Sequence, residues 1–356
     1  MSRIDHIEER EYASAKEFFD QVVFAERRPS LFRGMRDSRF DLKPTIARLN
    51  TLQRLRAKDQ SRLPNIHGLV DATSMQIWCY QRFLMRTYYQ AVTRGGGSLP
   101  PIDDDLHDQL FGAPGVSPTR ALPRIVGDAS LETSPTDWPL LAKMQHVGIE
   151  TRLLDWSLSP LSAMFFAADL STRESESEAP HIVVWEFDPT CSVWASSYST
   201  VFWTDILRFQ RMEASQKHLD VGAFVYAPNY SGNSNMRAQR GVFTVTAHKS
   251  FGGLHALSAQ TPRWEAEHED RYDFQNVYGR MAALYPQIPT PPYGEKPAFV
   301  PLIKHLLPGS SVGDLRPILD RVEVAESQLF LDGGSYREVL RRRIDDWLNS
   351  EDWLGE

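Results

Sequence analysis

The chain has 356 residues, of which 42% are hydrophobic and 24% charged, a composition typical of a folded globular protein and unlike that of a disordered, collagen-like or coiled-coil chain. Its 39 Lys and Arg against 46 Asp and Glu give a net charge of −7, which argues against non-specific nucleic-acid binding over the whole surface. Two cysteines are too few for a zinc cage or a disulfide framework, and the charged N-terminus and short apolar runs predict a cytoplasmic protein without membrane contact.

Helices and one short strand are predicted at the start of the chain. Ser14 and Glu17 have the spacing of a capping box, which predicts a helix from about residue 14 to residue 25. The apolar stretch before Arg33 and Gly34 predicts a strand whose last side chain reaches into a cleft. A broad, aromatic-rich helix is predicted between residues 73 and 92.

Residues 93–137 contain a glycine triplet, a proline pair and an acidic run. These features predict a long irregular connection, which we interpret as an insertion and a candidate lid. A helix is predicted from Trp138 to near Gly148. The next helix begins after Ser159, which precedes a proline at the first helical position, and continues through Ala168.

The second half of the chain predicts strands. Residues 181–187, 222–227 and 241–247 have strand patterns, and antiparallel pairing fits their order. Helices followed by strands, without regular alternation, predict an α+β fold with helices packed on a mixed, largely antiparallel sheet and long loop insertions. We expect a domain over residues 1–250, then a Pro-rich connector and a C-terminal helical part in 251–356, around a helix at 336–348, packing on the same domain.

The densest group of polar residues lies between the two helices predicted around residues 138–148 and 159–168. It includes Gln145, His146, Thr151, Arg152, Asp155 and Trp156. These side chains can hydrogen-bond a polar ligand while the aromatic ring stacks on it. The alternative is architectural: an ion pair between Arg152 and Asp155 fixes the loop, and Trp156 lies in the core.

Two shorter segments are further candidates. Arg33 offers a planar guanidinium suited to phosphate or carboxylate, and Arg237 and Gln239 stand two residues apart at the entry to a strand, hence on one face. The chain has no P-loop, dinucleotide-binding, zincin or nucleophile-elbow motif. Its histidines lack ligand spacing, so we expect no metal site.

Together these segments resemble the FRG domain family. The resemblance rests on Phe32-Arg33-Gly34 with 42–48, on the 145–156 motif with the helix after it, and on 237–243. It extends over about residues 14–250 and, more faintly, to 329–332. The resemblance implies a fold and a cleft more directly than a reaction.

The combination of Arg33 at a strand end, the 145–156 motif and the later 237–243 strand segment is also similar to the three-part site of ADP-ribosyltransferases. That similarity implies that Arg33 binds NAD phosphate or ribose, that residues 151–156 flank the nicotinamide side, and that Gln239 occupies the position of the transferase glutamate. A neutral amide lacks the charge of a carboxylate. Asp155, or His146 as acid–base, would then supply the missing chemistry.

The leading hypothesis is therefore an intracellular FRG-domain protein whose cleft binds a nucleotide-like ligand, with NAD as the candidate substrate of an ADP-ribosyltransferase-like or NAD-cleaving effector. The alternative is a non-catalytic ligand- or protein-binding module, for example a sensor in phage defence. A protein or nucleic-acid acceptor stays open, and so does catalysis itself. The candidate catalytic residues are Asp155, His146 and Gln239, and the candidate ligand-binding residues are Arg33, Gly34, Gln145, Thr151, Arg152, Trp156 and Arg237.

Overall fold

The structure is a computed structural model. It describes residues 7–24, 30–48, 72–102, 104–111, 137–168, 180–188, 200–202, 221–228, 240–248, 273–276, 278–279 and 301–321. The segment 237–239 and the predicted helix at 336–348 lie outside the described residues, as do all of 112–136 and most of 251–300.

The labelled helices lie mainly in the first half of the chain. They are α1 (Ala15–Phe18), which continues as a π-helical turn over Phe19–Val23, α2 (Ala72–Arg94), α3 (Asp104–Phe111), α4 (Trp138–His146), α5 (Pro160–Ala168) and α6 (Val312–Arg321). The predicted caps are present, because the hydroxyl of Ser14 accepts a hydrogen bond from the Glu17 amide and that of Ser159 accepts one from the Ser162 amide.

Among the described residues, eight strands form one sheet in the order β1-β8-β4-β2-β3-β7-β6-β5. The strands are β1 (Ile7–Glu11), β2 (Leu31–Met35), β3 (Leu154–Ser157), β4 (His181–Phe187), β5 (Thr200–Phe202), β6 (Val221–Ala227), β7 (Gly241–His248) and β8 (Leu302–Pro308). The pairs β1–β8 and β5–β6 are parallel and the others antiparallel. The predicted α+β class with a mixed, largely antiparallel sheet is confirmed.

Two separate groups of helices pack on one face of this sheet. Helices α2, α3 and α4 cover its β6–β7 side, where Phe243 and Val245 belong to their apolar cluster. Helices α1, α5 and α6 cover β2, β4 and β8, where Phe32 and Val184 belong to a second cluster. The opposite face carries a third cluster, around Trp156, Trp185, Phe187, Phe274 and Tyr278. The boundary between the first two groups crosses β2, β3 and β7.

One prediction for the segment 93–137 is wrong, because part of it is helical. Helix α3 begins at Asp104, within the acidic run that we interpreted as loop. Leu106 and Leu110 lie one turn apart, are 1% and 4% exposed, and pack in the cluster that contains α2. Acidic residues in the first turn of a helix interact favourably with its dipole, so the aspartates mark a helix start rather than a break.

The first predicted helix differs from the structure in its second half. The α-helical hydrogen bonding ends at Phe18, and residues 19–23 form a π-helical turn. Phe18, Phe19 and Val22 are buried in this segment. Among the described helices, none combines the length and the apolar character that a membrane span requires.

Candidate functional site

A cleft of about 170 Å³ opens at the boundary between the two helix groups. Its floor is formed by β2, β3 and β7, and its two sides by the end of α4 and the middle of α5. The lining residues are Phe32, Arg33, Gly34, Gln145, His146, Asp155, Trp156, Ser157, Ala163, Phe166, Gly241 and Phe243.

The sheet register explains why the floor lies on this face. Asp155 pairs with Phe243, and Phe32 pairs with Ser157. Directly opposed residues of neighbouring strands share a face, as do residues two apart on one strand. Asp155 therefore points to the face that carries α4 and α5.

An ion pair joins β2 to β3 at the floor of the cleft. Strand β2 meets β3 at the single register pair of Phe32 and Ser157. Beyond it, Nη1 of Arg33 donates to the main-chain oxygen of Asp155 at 2.6 Å and lies 2.8 Å from Oδ2 of the same residue. The guanidinium thus connects the two strands where the ladder ends.

Asp155 is held by donors on both of its carboxylate oxygens. Nε2 of Gln145 donates to Oδ1 at 3.1 Å, while Arg33 contacts Oδ2. The Asp155 side chain nevertheless keeps 52% of its surface exposed, toward the cleft, whereas that of Arg33 is only 10% exposed. Each carboxylate oxygen has two lone pairs, so Asp155 can still accept hydrogen bonds from a ligand.

The surroundings of Asp155 favour its ionised form. The enclosing protein removes water and opposes ionisation, but the charge of Arg33 and the hydrogen bonds from Arg33 and Gln145 outweigh this effect. The pKa of Asp155 therefore lies below its ordinary value.

Thr151 orients Gln145 from behind the cleft. Its hydroxyl donates to Oε1 of Gln145 at 2.5 Å and accepts from the Leu153 amide at 3.2 Å. This arrangement turns the amide nitrogen of Gln145 toward Asp155. Thr151 is fully buried and is not among the lining residues of the cleft, and its described contacts hold Gln145 in place.

A 3₁₀ turn over Thr45–Ala47 anchors the same loop. The Thr151 amide donates to the hydroxyl of Thr45 at 3.2 Å, and the Ile46 amide donates to the Thr151 carbonyl at 3.4 Å. Arg48 follows this turn directly. Loss of hydration and the nearby charge of Arg33 lower the pKa of Arg48, while Asp155 and Glu150 act in the opposite direction.

A comparison with protein families identifies part of this site. The family model described as FRG domain matches residues 115–176, a range that includes the polar motif at 145–156 and α5. The chain is similar to the FRG domain family over these residues. No curated protein and no solved structure matches the chain. The family match agrees with the resemblance found in the sequence motifs, and it begins inside the segment 93–137 that we interpreted as an insertion.

Several of the predicted site residues meet in the cleft. Arg33, Gly34, Gln145, His146, Asp155 and Trp156 line it. Thr151 and Arg152 are buried, at 0% and 6% exposed, and are not among the lining residues. Arg237 and Gln239 lie outside the described residues, but the strand that follows them contributes Gly241 and Phe243 to the cleft.

The predicted ion pair between Arg152 and Asp155 is wrong. Asp155 pairs with Arg33, which is 122 residues away in the sequence. Asp155 faces the cleft from β3, while Arg152 is buried ahead of that strand. The architectural interpretation was correct to place Trp156 in the core, since this ring packs against Phe187 and Phe274.

Trp156 borders the cleft without offering a free ring face. It is 3% exposed, and its Nε1 donates to the hydroxyl of Thr244 at 2.9 Å. Phe166 and Phe243 also line the cleft, and the sequence analysis missed them as site residues. Their apolar neighbours make them look like ordinary core positions. The sheet register pairs Phe243 with Asp155, and α5 brings Phe166 to the side of the cleft.

Gly34 serves the packing of this site. A Cβ atom at Gly34 would stand 1.6 Å from the carbonyl oxygen of Ala163 and 2.7 Å from the amide nitrogen of Ala167. Strand β2 therefore lies directly against the backbone of α5, an approach that only glycine permits. Within the described part of the chain, no group of three or more His, Cys, Asp or Glu is arranged to hold a metal ion.

Proposed function

We propose that the cleft binds a nucleotide-like ligand and that the protein breaks the glycosidic bond of this ligand, as an ADP-ribosyltransferase-like or NAD-cleaving enzyme. One observation carries the proposal: an ionised carboxylate, Asp155, opens into a cleft with Arg33 directly beside it. Perturbed titratable groups in a cleft are a recurrent mark of functional sites.

The chemistry that this arrangement supports is dissociative glycosyl transfer. In NAD, the bond between ribose C1′ and the nicotinamide nitrogen breaks, and its electron pair leaves with nicotinamide, which becomes neutral. Positive charge then develops on the ribose, where a fixed carboxylate stabilises it. An acceptor oxygen, from water or from a hydroxyl of a protein or nucleic acid, bonds to C1′ and loses its proton.

Asp155 and His146 take different roles in this proposal. A lowered pKa makes Asp155 a weak base, so its role is to stabilise charge. His146, at the end of α4, lines the same cleft and is assigned the proton of the acceptor. Gln239 is kept as a candidate that hydrogen-bonds the ribose.

The size of the cleft limits how much of the ligand it encloses. A volume of about 170 Å³ is below the roughly 300–1,000 Å³ of pockets that enclose a drug-sized ligand. Phe166 and Phe243 line this volume and offer apolar surface to a ring. We place the nicotinamide ribose there and the remainder of the dinucleotide at the rim.

The test is the release of nicotinamide from NAD by purified protein, compared between wild type and Asp155→Asn. We expect the substitution to lower the rate at least about 100-fold, the loss that follows removal of one stabilising electrostatic group. Asp104→Asn at the exposed start of α3 is the matched control, since it removes the same charge away from the cleft. Unchanged release in Asp155→Asn, or no release by the wild type, would contradict the proposal.

A non-catalytic binding module is the second candidate. The existing contacts of Asp155 favour this candidate. Its two carboxylate oxygens already contact Arg33 and Gln145, and the guanidinium of Arg33 also links β2 to β3. Such a pair can serve mainly to fix the floor of a binding cleft. In that case NAD or ADP-ribose would raise the melting temperature without any turnover.

A further inference from the structure

The two charged groups of the Arg33–Asp155 ion pair are unequally accessible. Arg33, His146 and Asp155 are the lining residues with ionisable side chains. The side chain of Asp155 keeps 52% of its surface exposed, whereas that of Arg33 keeps only 10%. Nη1 of Arg33 is directed to the main-chain and carboxylate oxygens of Asp155. The negative end of this ion pair is therefore the end that a ligand in the cleft meets.

The contacts of Asp155 determine what kind of ligand group can lie beside it. Gln145 donates to Oδ1, and Arg33 contacts Oδ2. The hydroxyl of Thr151 donates to Oε1 of Gln145, so the Gln145 amide cannot turn its oxygen toward Asp155 without losing that bond. An ionised carboxylate only accepts hydrogen bonds. A ligand group next to Asp155 must therefore be a cation or a hydrogen-bond donor.

Apolar side chains surround this carboxylate. Phe243 is directly opposite Asp155 in the sheet register, Phe166 belongs to α5, and both line the cleft together with Phe32 and Ala163. Apolar walls lower the local dielectric constant, so the charge of Asp155 acts more strongly on a ligand than it would in water. Aromatic rings also attract a cation that lies over a ring face. Both effects favour a positively charged ligand with apolar surface.

The walls and the size of the cleft favour one type of cation. A compact ammonium group is strongly hydrated, and a cation with delocalised charge is hydrated more weakly. The apolar walls cannot replace lost water contacts, so a ring with delocalised charge enters at a lower cost. The volume of about 170 Å³ is below the roughly 300–1,000 Å³ of pockets that enclose a drug-sized ligand, which favours one ring over a fused or linked system.

We infer that the cleft is selective for a monocationic aromatic ring, such as the pyridinium ring of oxidised nicotinamide, and discriminates against neutral rings of the same shape. The inference rests on the proposed function for the identity of the ring. When the bond between C1′ and the ring nitrogen breaks, its electron pair goes to that nitrogen and the ring becomes neutral. The cleft therefore retains the ring of the substrate and releases that of the product, and Asp155 determines this specificity.

The test compares two probes of the same shape and different charge, 1-methylnicotinamide and meta-toluamide. The first has a positively charged ring nitrogen where the second has a carbon atom, and neither contains a glycosidic bond. Their affinities are measured by ligand-observed NMR titration at neutral pH, at low and at high salt, for wild type, Asp155→Asn and Asp104→Asn. Asp104 is exposed at the start of α3, so its substitution removes the same charge away from the cleft.

We expect wild type to bind the cation about tenfold more tightly than the neutral probe at low salt, the factor that a partly desolvated charge interaction gives. Asp155→Asn should remove this preference, and Asp104→Asn should behave as wild type. High salt should weaken binding of the cation, because it screens the carboxylate, and leave binding of meta-toluamide unchanged. The salt dependence is measured on wild type, so it tests the inference even where Asp155→Asn unfolds.

Equal affinity of wild type for the two probes, or binding of neither, would overturn the inference. So would a preference for the cation that Asp155→Asn retains, or one that high salt does not reduce. The two proposals fail separately. A preference for the cation that depends on Asp155, without release of nicotinamide from NAD, contradicts the glycosidic chemistry alone. Release of nicotinamide by a protein that binds both probes equally contradicts this inference alone.

Discussion

Asp155 couples the stability of the protein to pH through its contacts with Arg33 and Gln145. Its pKa is lower in the folded protein than the ordinary value of about 3.9 that it has in an unfolded chain. A carboxyl of this kind adds stability that is fully present above the unfolded pKa and disappears as the pH falls through the folded pKa. Its contribution should therefore be complete above about pH 5 and decline below about pH 4.

We expect Asp155→Asn to be less stable than wild type at neutral pH and the two proteins to converge in stability as the pH falls below about 4. Urea unfolding at a series of pH values measures the difference directly. Other carboxyls with lowered pKa, such as Asp37 beside Arg39, affect both proteins equally and cancel. A difference that stays constant from pH 7 to pH 3 would show that the ion pair does not stabilise the fold.

Sequence reasoning identified the residues of the cleft better than their partners. Gln145, His146 and Asp155 are close in the sequence, so a dense polar motif was enough to find them. The partner of Asp155 is Arg33, and only the pairing of β2 with β3 brings it there. Local spacing favoured Arg152 instead, which the fold buries.

The contact between strand β2 and helix α5 determines the shape of the cleft. Gly34 lies against the backbone of α5, so a side chain there meets main-chain atoms that cannot rotate away. We expect Gly34→Ala to destabilise the protein by about 3 kcal/mol or more, the upper end of the cost of overpacking. Thermal or urea unfolding measures this loss.

Gly313 in α6 supplies the matched control for the same substitution. A Cβ atom there meets nothing within 4 Å, and alanine in a helix is more favourable than glycine by about 0.5–1 kcal/mol. Gly313→Ala should therefore be neutral or stabilising. If Gly34→Ala were equally well tolerated, β2 and α5 would have to be farther apart than the structure places them.

Elements with a strong periodic pattern were predicted well, and edge elements were not. Strand β4 occupies residues 181–187, as expected, and α5 begins at its predicted proline. Strand β1 was missed because four of its five residues are charged and exposed. Charged side chains protect an edge strand from unwanted pairing, but they also remove the alternation by which a strand is recognised. Strand β8 directly follows the Pro-rich segment that we interpreted as a connector.

The first and the last of the described strands meet at one edge of the sheet. Strand β1 pairs in parallel with β8, so residues 7–11 lie beside residues 302–306. The hydroxyl of Tyr12 lies 2.8 Å from Nδ1 of His305, whose Nε2 lies 2.8 Å from Oε2 of Glu186 on β4. His305 is fully buried. The contact of Tyr12 with the buried His305 thus anchors the N-terminal strand, and β1 covers the edge of β8.

We expect removal of residues 1–12 to lower the melting temperature and to promote self-association. The deletion takes away the strand that covers β8, and an exposed strand edge is a template for pairing with another chain. It also removes the Tyr12 contact to the buried His305. Thermal unfolding measures the first effect, and light scattering or size-exclusion chromatography over a range of protein concentrations measures the second.

Two point variants separate the strand's contributions in the full-length chain. Glu9→Gln removes the surface ion pair with Lys304, in which the Glu9 side chain is 55% exposed and the Lys304 side chain 18%. The loss should cost about 1 kcal/mol or less. Tyr12→Phe removes one buried hydrogen bond and should cost about 1 kcal/mol without self-association, because β8 stays covered. A truncated protein that stayed monomeric and as stable as wild type would mean that β1 does not protect the edge of β8. The stability of the sheet around the cleft, from β2 to β7, would then depend on the inner strands alone.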